Sequence, residues 1–291
     1  MRKCYGMPSP VGTNLSDKDD RPMIVRKSKL EIEKMRRAGQ IVADVHRELL
    51  DTVKPGMSTL DLDRLAESRI RQAGAKPTFK GYRVGDRVFP ATLCISLNDE
   101  VVHGIPAPDR IIEEGDVISV DCGATLDGYV GDSAITIAVG RCGDAVDSLL
   151  DHTRLSLYEG IRASVPGNRI GDIGHAVESF LRPHGYGIVE DYCGHGVGRR
   201  LHEEPQVPNY GLPGTGRRLK AGWCIAIEPM VNLGTHETVE LDDRWTVVTA
   251  DGSISAHFEH TIAITADGPL ILTSRGDDPS GDWISGRQPL F

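Results

Sequence analysis

The sequence has no long hydrophobic run. No apolar stretch in its 291 residues approaches the length of about 18 residues that a membrane-spanning helix requires. Its N-terminus carries charges and prolines, whereas a secretory signal needs a continuous apolar segment. We therefore expect a cytoplasmic protein without a membrane partner.

Cysteines and basic residues are also in short supply. The six cysteines are scattered and form no CxxC pair, which argues against a disulfide framework and against a zinc knuckle. Lysine and arginine together number 33 against 42 acidic residues, giving a formal net charge of -9. That balance argues against a standing nucleic-acid surface, and no nucleic acid is expected as a partner.

Large apolar residues are almost missing before residue 23, so residues 1–22 are predicted to form a disordered extension and residues 23–291 a single folded domain. Order should begin at Ser28, because Glu31 follows at capping-box spacing. Apolar spacing predicts helices after Ser28, from about 59 to 73, around 150–161 and around 173–181. Strand-like runs lie at 93–97, 117–120, 134–139, 224–228 and 256–265.

This order of elements suggests an internal repeat, because three pairs of motifs recur in the same order. The pairs are PG with an aspartate at 55–61 and 166–172, GDVISVD at 115–121 with GWCIAIE at 222–228, and DSAITIAVG at 132–140 with EHTIAITADG at 259–268. We infer two related αβ halves, each of which contributes two carboxylates from strands.

The first two carboxylates are Asp121 and Asp132, on either side of Asp127-Gly128, a strong signal for a two-residue hairpin turn. With that turn, residue 123 faces Asp132, so Asp132 lies diagonal to Asp121 on one face of the hairpin. Surface acids on a solvated hairpin are the alternative, although the flanking residues are markedly apolar.

The other two carboxylates, Glu228 and Glu259, stand among strand-forming apolar residues. A single buried acid is explained as well by an ion pair with Arg or Lys as by a metal, but four such acids favour a metal site. Glycines surround His195 and allow close backbone approach. Four oxygen donors and one nitrogen donor suit Mn²⁺, Fe²⁺ or Co²⁺, and five ligands suit two ions.

Two such ions would activate water at neutral pH, as in two-metal hydrolases. His103 and His202 are then candidates to contact the substrate. Taken singly, each is more readily explained as an ordinary polar loop histidine.

Seven motifs resemble those of type I methionine aminopeptidases in order and near-spacing, over roughly residues 28–272. They are NDEVVHGIP (98–106), VDCG (120–123), GDS (131–133), CGHGVG (193–198), HEEP (202–205), IEPM (227–230) and EHT (259–261). The resemblance implies an α+β "pita-bread" fold, with two pseudo-symmetric halves around a curved antiparallel sheet. It also implies removal of the N-terminal methionine from nascent proteins and peptides, favouring a small second residue, by a water or hydroxide that bridges two divalent ions (Co, Mn or Fe).

The resemblance also implies roles for the residues of the centre. Asp132 and Glu259 would bridge both ions, His195 and Glu228 would complete one ion, and Asp121 would complete the other. Glu228 would in addition be the proton shuttle, while His103 and His202 would contact the scissile region.

The pocket for the methionine side chain is similar to that of the family but not identical to it. Cys94 and Trp245 match pocket positions, whereas Phe89 and Leu201 stand where a tyrosine and a phenylalanine are familiar. Tyr82 matches another tyrosine, and the segment that follows it, residues 83–88, is longer than usual. His257 replaces a familiar glutamine. The expected partners are N-termini of nascent polypeptides at the ribosome, and the expected state is a monomer.

Two rivals share this fold. X-Pro aminopeptidases and prolidases carry a large additional N-terminal domain, and only about 27 residues precede the first predicted helix. A relative that has lost its metals and serves as a binding module would not need all five ligand positions.

Overall fold

The computed structural model describes residues 23–276 and residue 278. The predicted disordered extension, residues 1–22, lies outside the described residues. The four α-helices are α1 Lys29–Thr52, α2 Thr59–Gln72, α3 Asp144–Ala163 and α4 Ile170–Leu181, the last followed by a 3₁₀ turn, Arg182–His184. All four predicted helices are thereby confirmed.

The strands are short except for one long hairpin. They are β1 Lys76–Pro77, β2 Arg83–Val84, β3 Arg87–Val88, β4 Leu93–Leu97, β5 Glu100–Val102, β6 Val117–Leu126, β7 Tyr129–Ala138, β8 Gly187–Ile188, β9 Gly194–Gly196, β10 Glu203–Val207, β11 Cys224–Ile227, β12 Met230–Asn232, β13 Thr238–Glu240, β14 Val247–Thr249, β15 Ser255–His257, β16 His260–Thr265 and β17 Gly268–Ile271. Two sheets carry most of the fold, one with the order β1-β6-β4 and β7 on β6, the other with the order β10-β9-β11-β16-β17. Their strand pairs are antiparallel.

Helix α1 begins where the sequence predicts. Ser28 accepts from the Glu31 backbone N–H while the Glu31 carboxylate accepts from the Ser28 backbone N–H, which completes a capping box. Its apolar face is buried and packs on the β6–β7 hairpin. The contact is so close that a Cβ at Gly131 would lie 2.4 Å from the Gly39 backbone nitrogen. Glycine is therefore required where the helix meets the sheet.

The internal repeat is confirmed by matching backbone hydrogen bonds in the two halves. Gly115 donates to Val139 at 2.7 Å, and Gly222 donates to Ile264 at 2.8 Å. Both glycines have φ of 94°, a left-handed conformation that favours glycine. Two isolated bridges, Ser58↔Ile111 and Arg169↔Arg218, also occupy corresponding places. The fold is thus two copies of one αβ unit.

No helix among the described residues combines the length and the apolar character needed to cross a bilayer.

Candidate active site

The β6–β7 hairpin places the first two carboxylates as the sequence predicts. Asp127 and Gly128 have φ of 51° and 75°, as a two-residue hairpin turn of the favoured type requires. Gly123 pairs with Asp132, and Asp121 pairs with Ala134. The two aspartates are therefore diagonal neighbours on one face. The predicted strands were too short, because Asp121 and Gly123 are poor strand formers that here lie inside a continuous ladder.

The second pair of carboxylates lies at an interruption in the other hairpin. Ile227 pairs with His260, and Met230 pairs with His257 in the same register. Glu228 consequently lies opposite Glu259, beside Pro229, which has no N–H to donate to a ladder. The prediction of one strand over 256–265 was wrong, because β15 and β16 are separated at this point.

Hydrogen bonds to β7 of the first half hold the interrupted segment in place. The Glu259 backbone N–H donates to the Ala134 carbonyl at 2.9 Å, and the Ser133 hydroxyl donates to the Glu259 carbonyl. Two residues after Glu259, the Thr261 hydroxyl donates to the Asp132 carbonyl at 2.7 Å. The backbones that carry Asp132 and Glu259 are thus joined directly, and this fixes the separation of the two carboxylates.

His195 on β9 completes a cluster with these two residues. One ligand atom from each of Asp132, His195 and Glu259 lies within 4.8 Å of the others. The flanking glycines are necessary, since a Cβ at Gly194 would lie 2.3 Å from the Ala226 carbonyl oxygen and one at Gly196 would lie 2.2 Å from that of Glu204. The sequence signal at His195 therefore reflects backbone crowding around the histidine.

The ring of His195 is oriented for coordination. Its Nδ1 lies 3.0 Å from the Gly196 carbonyl oxygen, an acceptor, so the proton belongs on Nδ1 and Nε2 keeps its lone pair. Nε2 faces Asp132 Oδ2 at 3.6 Å and Glu228 Oε1 at 3.5 Å. Burial lowers the pKa of His195 to about 4, so the ring is neutral at pH 7.

The carboxylates are buried without sufficient partners. Asp121 Oδ1, Asp132 Oδ1 and Glu259 Oε1 are buried and accept no hydrogen bond. Burial raises the pKa of Asp121 to about 7. Burial, followed by the charges of neighbouring carboxylates, raises the pKa values of Asp132 and Glu259 well above their usual range. Unpaired buried charge is costly, and a cation between these oxygens removes that cost, so the donor set fits divalent metal.

His202 lies against this cluster. Its ring centroid is 4.3 Å from that of His195, and its Nδ1 is 2.6 Å from the Tyr82 hydroxyl oxygen. Burial lowers the pKa of His202 to about 2. His103 is partly buried, and this burial lowers its pKa to about 4. Its ring contacts Tyr192 and Trp245 with centroids 5.7 and 6.5 Å away. Both candidate histidines are therefore neutral at pH 7, with His202 beside His195 and His103 beside Trp245.

The predicted pocket residues come together in one apolar cluster. Phe89, Cys94 and Leu201 are buried in it, with Tyr82 and Trp245 packed against them. The rings of Phe89 and Trp245 meet edge to face at 5.2 Å between centroids. A set of one aliphatic and several aromatic side chains is suited to contact an unbranched apolar group.

Two contacts of this site were not predicted. His257 Nε2 lies 3.7 Å from Glu228 Oε2, and no hydrogen bond reaches that buried nitrogen. Strand alternation offered the signal, because His257 is two residues before Glu259. The second contact is the hydrogen bond between Tyr82 and His202, which joins residues 120 positions apart and leaves no local signal.

Comparison with known proteins places this geometry in a family. Residues 33–266 match the family described as Metallopeptidase family M24. The chain belongs to metallopeptidase family M24. Among its relatives in this family, methionine aminopeptidase from Clostridium acetobutylicum is 49% identical over 86% of this chain and 99% of that protein. The corresponding enzyme of Bacillus subtilis is 50% identical over the same shares of both chains.

Solved structures agree with this M24 assignment. The methionine aminopeptidase of Thermotoga maritima, 45% identical, superposes with a TM-score of 0.84 over 87% of this chain and 100% of that chain. A prolidase from Pyrococcus furiosus shares the fold at 24% identity, with a TM-score of 0.68 over 86% of this chain and 65% of its own. The pita-bread fold and the metallopeptidase class expected from the sequence are both confirmed. Members of this family use divalent metal, for which the cluster at Asp132 is suited.

Proposed function

We propose that this protein removes the N-terminal methionine from nascent proteins and peptides and favours a small second residue. One observation carries the proposal: buried carboxylates of both halves, with oxygens that accept no hydrogen bond, converge on His195 near an apolar cluster that contains Phe89, Cys94 and Leu201. The names of its relatives, at about half identity over most of the chain, support the same reaction.

The metal centre is proposed to hold two divalent ions, Co, Mn or Fe. Asp132 and Glu259 would bridge both, His195 and Glu228 would complete one, and Asp121 the other. When bound, two such ions supply a nucleophilic water at neutral pH and stabilise developing negative charge. The Nε2 lone pair of His195 and the unpartnered carboxylate oxygens support this ligand set.

Glu228 is proposed to carry the proton during peptide hydrolysis. One of its oxygens faces His195 Nε2 at 3.5 Å and the other faces His257 Nε2 at 3.7 Å. This carboxylate therefore lies between two imidazoles at the edge of the cluster. From there it can accept a proton from the attacking water and deliver it to the leaving amine.

His202 is proposed to stabilise the oxyanion. If the Tyr82 hydroxyl donates to Nδ1 across their 2.6 Å contact, the neutral ring carries its proton on Nε2. That N–H is then available to donate to the substrate carbonyl as negative charge develops on it. His103 is proposed to contact the same region from the side of Trp245, to which its ring is adjacent.

The pocket formed by Phe89, Cys94, Leu201 and Trp245 is proposed to receive the methionine side chain. Partners are proposed to be nascent N-termini at the ribosome, met by a cytoplasmic monomer that requires neither nucleic acid nor membrane. Residues 1–22 are proposed to be a disordered extension, and 23–291 the catalytic domain.

Peptide hydrolysis tests the proposal. The metal-stripped protein is assayed on Met-Ala-Ser, Met-Leu-Ser and Leu-Pro, with and without added Mn²⁺, Fe²⁺ or Co²⁺. We expect metal-dependent release of methionine from Met-Ala-Ser, less release from Met-Leu-Ser, and no cleavage of Leu-Pro. Cleavage of Leu-Pro in preference to Met-Ala-Ser would instead assign the chain to the prolidase reaction.

A further inference from the structure

A two-stranded hairpin, Arg83–Val88, lies between Tyr82 and Phe89, two residues of the apolar cluster proposed as the methionine pocket. Strands β2 and β3 form it with Arg83 facing Val88 and Val84 facing Arg87. At its base, the Phe89 N–H donates to the Tyr82 carbonyl at 2.9 Å. The hairpin is therefore framed by the tyrosine that contacts His202 and by a buried residue of the pocket wall.

The tip of this hairpin is clamped to the turn before β14. Asp86 accepts two hydrogen bonds from the Arg244 guanidinium, at 3.0 and 2.7 Å. Arg87 donates to Glu240 Oε2 at 3.1 Å and also to the Arg244 carbonyl oxygen. Arg244 has φ of 63°, a backbone conformation that residues other than glycine seldom adopt. The backbone preference of Arg244 thus disfavours this turn, and the hydrogen bonds of the clamp stabilise it.

The turn held by this clamp carries Trp245. The Arg87 guanidinium carbon lies 5.3 Å from the centroid of the Trp245 ring, within reach of a cation–π contact. Phe89 meets the same ring at 5.2 Å. The hairpin thus supplies two of the groups that surround Trp245, and the ring is adjacent to His103 in turn.

We propose that Arg83–Val88 is a specificity-determining strap, which holds Trp245 in place through Arg87 and Asp86 and so sets the shape of the pocket for the N-terminal side chain. The inference rests on the proposed function. Arg87 is its main positioning residue, because its side chain is only 24% exposed. Asp86 and Arg244 are 75% and 55% exposed, and exposed ion pairs contribute little.

The strap acts on substrate binding rather than on the chemical step. Trp245 belongs to the pocket wall, whereas the carboxylates and His195 are held by β6, β7, β9 and the second hairpin. Loss of the clamp therefore loosens one wall and leaves the metal cluster in place. A change in substrate affinity without a matching change in turnover is the signature of such a role.

The test compares Arg87→Ala with Arg36→Ala on Met-Ala-Ser and on Leu-Ala-Ser. Arg36 forms a two-point pair with Glu33 on the exposed face of α1, so it is a matched control for a lost surface arginine. For Arg87→Ala we expect KM for Met-Ala-Ser to rise about three- to five-fold with kcat within about two-fold, as loss of a cation–π contact predicts. The preference for methionine over leucine should fall, and Arg87→Lys should restore part of it.

Calorimetric titration of L-methionine into each variant judges the strap without turnover. Weaker methionine binding by Arg87→Ala but not by Arg36→Ala supports the strap. Equal KM and equal methionine binding in these two variants overturn it, even if the wild-type protein hydrolyses Met-Ala-Ser. A wild-type protein without that hydrolysis refutes the proposed function, and the methionine titration still decides whether Arg87 shapes the pocket.

Discussion

The two carboxylate-bearing hairpins place their pairs of acids in different ways. In the first half, β6 and β7 pair without interruption from Val117↔Ala138 to Leu126↔Tyr129. Their two aspartates lie within the strands, diagonal to each other. In the second half the ladder stops between Ile227↔His260 and Met230↔His257. The two glutamates lie opposite each other in that gap.

The difference follows from side-chain length and from where the backbone groups find partners. An aspartate is short and needs a strand that approaches the site closely, whereas a glutamate reaches from a strand end. Because the ladder of the second half is interrupted, the Glu259 N–H is free to donate to Ala134 of the first half. The interrupted hairpin therefore supplies the donor of this bond between the halves, and the continuous hairpin supplies the acceptor.

The largest expected effect comes from removing the carboxylate charge of Asp132, which is proposed to bridge both ions. Asp132→Asn should lower hydrolysis of Met-Ala-Ser by well over about 100-fold, the loss associated with residues that only support metal ligands. Its melting temperature should stay near that of the wild type, because the amide keeps the shape of the side chain. Asp127→Asn, in the exposed turn of the same hairpin, is the control. An active Asp132→Asn at saturating metal would remove Asp132 from the proposed bridge.

The next effect separates two neighbouring histidines of the second half. His202→Ala should lower kcat by about 10²- to 10³-fold, the usual loss of one oxyanion donor, while metal affinity persists. His195→Ala should lose metal affinity as well as rate. Calorimetric metal titration of both variants provides the comparison. If the two lose metal equally, His202 is itself a ligand and the assignment of five ligands is wrong.

A smaller effect concerns the hydrogen bonds between the halves. The Thr136 hydroxyl accepts from the His257 N–H and donates to its carbonyl, both at 2.8 Å. Thr136→Val should cost about 1–3 kcal/mol of unfolding free energy, because two buried backbone groups lose their partner. Urea unfolding measures this, with Thr52→Val as a control, since that hydroxyl bonds only within α1. Equal losses of unfolding free energy in the two variants would show that the Thr136 hydrogen bonds between the halves stabilise the fold no more than a bond within one helix.

The smallest effect tests how alike the two halves are. Gly115 and Gly222 share φ of 94°, so alanine at either position should cost about 1–2 kcal/mol through backbone strain. Gly222→Ala should cost more, because its Cβ would lie 3.0 Å from the Lys27 carbonyl oxygen, whereas that of Gly115→Ala approaches nothing nearer than 3.8 Å. Urea unfolding of the two variants gives the difference. A larger loss at Gly115 would contradict the packing described here.

Sequence reasoning performed best where a local rule leaves one solution. Side chains alternate along a strand, and Asp127-Gly128 fixes a two-residue turn, so only one pairing puts Asp121 and Asp132 on one face. The capping box at Ser28 likewise predicted the start of α1, which begins at Lys29. Both inferences use neighbours along the chain.

The features that escaped sequence reasoning depend on distant residues. The break before Glu259 follows from an acceptor on Ala134, and neither Phe258 nor Glu259 is a residue that usually ends a strand. The clamp at Arg87 joins it to Arg244, which is 157 positions away. No local preference encodes such contacts, because they exist only once the two halves pack together.

The bond from Ser133 to Glu259 spans 126 residues of chain, and this separation has a consequence for biosynthesis. At about 5–20 residues per second of translation, the ribosome needs about 6 to 25 seconds to add the second partner after the first. Throughout that interval the emerging chain holds Asp132 but lacks Glu259, the last of the three clustered residues to be added. With the proposed ligand set, competence to bind metal tightly is expected to arise in one late step, and a chain cut short before residue 259 is expected not to reach it.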